Sequence, residues 1–217
     1  MTTFGWPEAL FLFRAAGWTL LLTAIAFLIG GLLGGVLAIM RLSRIRIVRR
    51  IAATYILVIQ SIPVLMVLFM SYYGLSLFGV ELPPFLAASA SLAIYVSAYL
   101  AEIWRGSIES VPFQQWEASA SLAHSPAQTY RHVILPQAVR ISLPPTVGFL
   151  VQLVKNTSIV SVVGFVELAR AGQLVNNATF DSFRVFGLVA LIYFAICFPL
   201  SRLSRHLEKV MNASRPH

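Results

Sequence analysis

Apolar residues in this chain are gathered into blocks separated by short polar segments. A helix needs about 20 residues to cross a hydrocarbon core. Five blocks reach that length, at about residues 17–40, 53–77, 85–104, 143–166 and 185–203. The pattern therefore predicts an all-α integral membrane protein with about five transmembrane helices. The first block lacks a basic segment ahead of it and, running over 15–40, is too long for the core of a secretory signal, so it is expected to be a mature span.

An odd number of spans puts the termini on opposite sides, and arginine and lysine set the orientation. With the N-terminus outside, the inner segments hold Arg41, Arg44, Arg46, Arg49 and Arg50, then Arg105, Arg131 and Arg140, then Arg202, Arg205, Lys209 and Arg215. The outer segments hold Arg14, Arg170 and Arg184. The bias predicts an N-terminus outside and a C-terminus in the cytoplasm.

Composition agrees with lipid as the solvent: of 217 residues, 58% are hydrophobic and 11% charged, against about a quarter charged in soluble domains. The net charge of +8 does not point to nucleic acid, because the arginines sit in the short inter-span segments and not on an aromatic-studded soluble surface. Cys197 is the only cysteine and lies in an apolar run, which excludes a disulfide or cysteine metal site within one chain. His124, His132, His206 and His217 show no ligand pairing. No metal site is expected.

Gly30, Gly31, Gly34 and Gly35 form two Gly-x-x-x-Gly pairs on neighbouring faces of the first span, where another backbone can approach closely. That approach serves either packing within the subunit or contact with a second one. The chain reads as a single transmembrane domain over 1–217, interrupted by a cytoplasmic loop at about 105–140. Such a length is too great for a turn and is a functional signal. Within it, Val111-Pro112 opens a helix carrying Gln115 and Glu117 among small residues, and Ser125-Pro126 starts a second short helix ending near Ile134-Leu135-Pro136.

The triplet Glu117-Ala118-Ser119, followed at fixed distance by Ile134-Leu135-Pro136, resembles the Glu-Ala-Ala loop of binding-protein-dependent ABC permeases. The family's second alanine aligns with Ser119 and its later glycine with Ala123. Further matches extend along most of the chain: Gly17-Trp18-Thr19-Leu20, Arg41-Leu42-Ser43, Pro63, Tyr72-Tyr73-Gly74-Leu75, Ala98-Tyr99-Leu100-Ala101-Glu102-Ile103, Arg105-Gly106, Leu135-Pro136-Gln137-Ala138 and Lys155-Asn156-Thr157-Ser158. This ordered set is similar to the polar amino acid subfamily, whose members carry histidine, glutamine, arginine or opines.

The resemblance implies a methionine-importer-like permease fold in the bacterial cytoplasmic (inner) membrane. It also implies partners: an ABC ATPase dimer, a second permease chain, identical or paralogous, and an extracytoplasmic amino-acid-binding protein. Glu117, Ala118, Ser119, Ala123, Leu135 and Pro136 would couple this chain to the ATPase. ATP and Mg would belong to that partner, with no cofactor bound here. A phosphate-binding loop needs Gly-x-x-x-x-Gly-Lys followed by Ser or Thr, whereas Lys155 precedes Asn156 and Lys209 precedes Val210. No catalytic constellation is found, and the subunit is not expected to be an enzyme.

A substrate pathway is sought where polar groups interrupt apolar runs. Lys155, inside the fourth block and beside Asn156, Thr157 and Ser158, would cost about 2.5–3.5 kcal/mol on insertion scales and should face a cavity or a partner. The alternatives are a pathway and a structural pairing with Glu102 or Glu167. Side chains of Asn156, Thr157 and Ser158 also compete with helical hydrogen bonding. Gln60 and Ser61 stand where the subfamily usually has arginine and glycine, and Asn156 where it usually has aspartate. The candidate pathway is thus Gln60, Ser61, Lys155, Asn156 and Ser158. Glu102, Arg105 and Glu109 share one helix face as an ion-pair ladder. The competing functional class is an ion-coupled secondary amino-acid transporter using Lys155 and Glu102.

Overall fold

The computed structural model describes residues 4–213, with side chains to Met211; Arg215 and His217 lie outside the described residues. Helix α1 spans Trp6–Arg41, starting eleven residues before the first apolar block. Pro7 occupies its first turn, and Glu8 accepts the Gly5 N–H at 2.9 Å, so the start carries local capping and tolerates Arg14. Helix α2 (Arg46–Ser61) breaks at Ile62-Pro63 and resumes as α3 (Val64–Phe69), which passes into a π turn at Met70–Gly74. The two arms of this pair are bent by 105°. Helix α4 covers Pro84–Glu109 and α5 covers Phe113–Ser121.

The second half is one long helical run with changes of pitch. A single turn, α6 (Pro126–Gln128), opens into a π turn at Thr129–Ile134 and then α7, Leu135–Asn156. The short helix expected to end near Pro136 does not end there. Proline lacks an N–H and clashes with the carbonyl four residues back. The π turn just before it widens the ladder, with Leu135 N–H donating to Tyr130 O, and the axis continues. After Asn156 the chain tightens into a 3-10 helix, Thr157–Val163, closed by Gly164 at φ +85°. Helices α8 (Leu168–Thr179) and α9 (Ser182–Ala213) follow.

Contacts between spans fix the number of crossings. Gly30 packs on Ala93 and Val96, Gly34 on Ser97 and Leu100, and Gly35 on Trp104, so residue numbers rise together and α1 and α4 run parallel. The segment between them must recross, which makes the bent α2–α3 pair one span. Trp104 donates to Thr146 and Tyr99 stacks on Phe149, an antiparallel α4–α7 register. Ser204 donates to the Pro144 carbonyl while Cys197 packs with Val151 and Val154, so α9 returns antiparallel to α7. Among the described residues five crossings result, with α1 starting and α9 finishing at opposite ends of the bundle.

The core is built around α4. Its most apolar 18-residue window is 67% buried, against 28% for α1 and 22% for α9, leaving outward faces on both flanking helices. Leu92, Val96 and Leu100 meet Leu22 and Ala26 of α1, Leu68 of α3, and Phe149 and Leu153 of α7. All four glycines face α4, so both Gly-x-x-x-Gly pairs serve packing within the subunit.

Candidate functional site

The corner between α4 and α7 is a helix held from behind with a free front. Glu117, Ala118 and Ala120 are exposed on α5, and Phe113 and Leu122 at its ends are 70% and 71% exposed. Behind them Val111, Ile134 and Ala138 form a small core with Trp116 and Tyr130, whose rings meet edge to face at 5.2 Å. Gln137 adds a bond to Gln115 at 3.3 Å and one to the Val133 carbonyl at 2.8 Å. The α5 helix is therefore anchored to the first turns of α7. Leu135 and Pro136 lie exposed on the same corner.

Two residues of this corner, Ser119 and Ala123, have physical consequences. Ser119 is 2% exposed, a costly place for a hydroxyl without a partner. It meets Thr129 Oγ1 at 2.8 Å and His124 Nδ1 at 3.1 Å, which satisfies it and ties α5 to the following turn. Ala123 sits at φ +52°, the left-handed region that glycine enters freely and alanine at a cost of about 1–2 kcal/mol. That geometry explains why glycine suits this position.

The ladder expected at the α4 exit is present. Arg105 Nε donates to both Glu102 oxygens at 3.0 Å, its terminal nitrogens reach Glu102 and Glu109, and Arg41 approaches Glu102 at 3.9 Å. The ladder thereby joins α1 to α4 at the C-terminal ends of both helices.

The pathway candidates are not gathered in one place. Gln60 donates to the Ala98 carbonyl of α4 at 3.4 Å, and Ser61 is exposed at the α2–α3 break. Asn156 is buried on the α7 flank of α4 and accepts a bond from Gln152 at 3.2 Å. Asn156 also lies within hydrogen-bonding reach of Tyr95 on α4. Lys155 points elsewhere, into a groove of about 580 Å³ between α7 and α9 that includes Val151, Tyr193, Cys197, Phe198 and Arg205. Among the described residues neither Glu102 nor Glu167 forms an ion pair with it. Ser158 and Thr157 return hydroxyl bonds of 2.7 Å to the carbonyls of Lys155 and Val154. Those bonds to residues three back match the pitch change at Thr157, where side chains compete with the α-helical ladder.

Sequence reasoning missed the role of Glu167, which is 0% exposed. Its carboxylate caps α8, accepting from the N–H groups of Ala169 at 2.9 Å and Arg170 at 2.8 Å. It also accepts from Tyr193 of α9 at 3.0 Å and Thr19 of α1 at 3.4 Å. Burial raises its pKa above the usual carboxylate range, while these donors pull it back. The available signal was an acidic residue directly before a helical run.

Known proteins place this arrangement. The model of the binding-protein-dependent transport system inner membrane component family matches residues 26–212. The chain belongs to this family. It is 35% identical over 199 residues to a probable amino-acid ABC transporter permease protein, YckA, of Bacillus subtilis, covering 92% of this chain and 88% of that one. Similarity to the nopaline transport system permease protein NocM of Agrobacterium fabrum is 34% over 216 residues, covering 95% and 88%. A solved amino acid ABC transporter with histidines superposes with a TM-score of 0.87 at 37% identity, covering 92% of this chain and 93% of that one. The inward-facing methionine transporter MetNI shares the fold, with a TM-score of 0.73 at 22% identity and coverage of 94% and 99%. The expected permease fold and inner-membrane location agree with these findings.

Proposed function

We propose that this chain is the transmembrane permease subunit of an ATP-driven, binding-protein-dependent amino-acid importer and forms the translocation pathway with a second permease chain. The observation that carries the reading is the family match over 26–212, joined to a 37% identical amino-acid ABC transporter of the same fold. The N-terminus faces outward and the C-terminus the cytoplasm, as the arginine distribution requires. The whole chain is one transmembrane domain, and residues 105–140 form its coupling region.

In this reading α5 is the contact with a cytoplasmic ATPase that binds ATP and Mg. Its exposed Glu117 and small neighbours allow close approach, and the Val111–Ile134–Ala138 core passes motion of α5 into α7 without slack. Substrate arrives from an extracytoplasmic amino-acid-binding protein. It passes between permease chains along the α2–α3 break at Gln60 and Ser61, past Asn156 and Ser158. Broken helices near the midplane expose backbone groups that substrate can use. Lys155 supplies positive charge in the adjoining groove, suited to a carboxylate.

The test is uptake of labelled amino acids into liposomes carrying the assembled complex, with binding protein outside and ATP present or absent inside. Uptake that requires internal ATP is expected. Uptake driven by an ion gradient without ATP would overturn the reading in favour of an ion-coupled transporter. Glu117→Lys is expected to uncouple or release the ATPase; normal ATP-driven uptake with the ATPase firmly bound would remove α5 from that role.

A further inference from the structure

The turn between α1 and α2 carries charge that the chain does not answer. Arg44, Arg46, Arg49 and Arg50 are all exposed. Among the described residues none has a carboxylate within 4.0 Å, whereas Arg41, Arg105 and Arg184 each do. Three of the four lie in the opening turns of α2, which has no acidic residue in its first turn. Cations at a helix N-terminus oppose its dipole, and like charges three and four residues apart repel. The segment is thus electrostatically unfavourable until anions approach it.

Apolar side chains are interleaved with these arginines. Ile45, Ile47 and Ile51 are 62%, 70% and 59% exposed, while Ala52 and Ile56 are buried against the rest of the protein. Arg46 and Arg50 lie on the helix face turned away from those buried residues, with Ile47 and Ile51 beside them. Retention of charge on one side of the membrane requires arginines here but not this alternation with exposed isoleucines. An amphipathic basic segment at the end of a span suits the boundary where headgroups meet acyl chains. Guanidinium groups also pair with phosphate through two parallel hydrogen bonds.

We propose that the α1–α2 elbow is a binding surface for anionic phospholipid headgroups in the leaflet that faces the cytoplasm in the orientation given above. The arginines hold the phosphates, the isoleucines enter the acyl boundary, and the lipid relieves repulsion at the start of α2. The inference goes beyond the transport reading, because its residues belong neither to α5 nor to the candidate pathway.

The assembled complex is reconstituted in nanodiscs holding equal amounts of phosphatidylglycerol and phosphatidylcholine, re-extracted in mild detergent, and its retained lipid is quantified. Wild type is expected to retain phosphatidylglycerol about fivefold over phosphatidylcholine, and to lose the preference in about 0.5 M salt, where the Debye length falls to a few ångströms. R44Q/R46Q/R49Q/R50Q is expected to bring the ratio close to one, and the corresponding lysine replacements to keep most of the preference. A wild-type ratio of one, or an unchanged ratio in the glutamine variant, overturns the proposal. A glutamine variant that keeps its lipid but sheds the ATPase also overturns it, assigning the arginines to that partner. If the fourfold variant fails to assemble, R46Q/R50Q and the salt dependence of wild type decide the matter.

Discussion

The α1–α4 seam and the α7–α9 seam both join long apolar helices, but they are closed by different means. Along the first, glycine brings backbones together: a Cβ built on Gly30 would lie 2.6 Å from Val96 and 2.7 Å from the Ala93 carbonyl. Along the second, the helices carry internal prolines, Pro144 and Pro145 in α7 and Pro199 in α9, and a groove holding Lys155 and Arg205 remains. Proline frees carbonyls inside a helix, and in lipid those must find donors from neighbours. Close backbone packing gives a seam with one arrangement. A seam of prolines, hydroxyls and cavity has spare room, which a moving part requires.

The largest expected effect comes from filling the closed seam. Gly30→Leu must push α1 away from α4, and overpacking of this kind costs about 1–3 kcal/mol or more. We expect loss of folded, monodisperse complex in detergent. Gly31→Ala is the control, since its nearest neighbours are 3.7 Å away, and it should purify normally. If Gly30→Leu also purified with an unchanged thermal midpoint, the seam would be looser than its geometry indicates.

Glu167→Ala tests whether α1 is fixed in its N-terminal half as firmly as along α4. Removing the carboxylate leaves the α8 N–H groups and the Tyr193 hydroxyl without their acceptor. Loss of a cap and a buried hydrogen bond together costs about 3 kcal/mol. The thermal midpoint of the complex should fall clearly, with Glu167→Gln falling less because it still accepts. Equal midpoints for all three proteins would show that packing alone holds α1 against α8 and α9.

Lys155→Ala addresses the open seam, where function is expected to change while stability does not. Assembled complex should be recovered in wild-type amounts. Uptake should show KM raised about tenfold, the loss of one contact of about 1.4 kcal/mol. Unchanged uptake kinetics would remove Lys155 from the pathway and leave the groove a packing feature.

The contrast between the seams also marks what could be read in the residues beforehand. The spans were legible because apolar blocks of sufficient length have no other use. Residues 105–140 nevertheless gave a misleading boundary: Pro136 reads as a terminator, and the π turn that carries the helix past it depends on the paths of neighbouring turns. The second block, 53–77, read as one span without its 105° bend, since direction is set by what α3 packs against. Helix α8 escaped notice because it is too short and too polar to stand out as a span. Lys155 and Asn156 are adjacent in sequence, yet the helix turns about 100° per residue and sends one to the groove and the other to α4.

The smallest effect is expected at Ser204, and it separates two explanations of the open seam. Its hydroxyl donates to the Pro144 carbonyl at 2.9 Å, the kind of interhelical bond that averages about 0.6 kcal/mol in membranes. If this hydroxyl bond helps to hold α9 on α7, Ser204→Ala should lower the thermal midpoint slightly and Ser204→Thr should preserve it. Because the bond crosses the seam that borders Lys155, its loss should also change the rate of ATP-driven uptake more than it changes stability. A Ser204→Ala protein with both properties intact would mean that the seam is held by the Val151–Val154–Cys197 contacts alone.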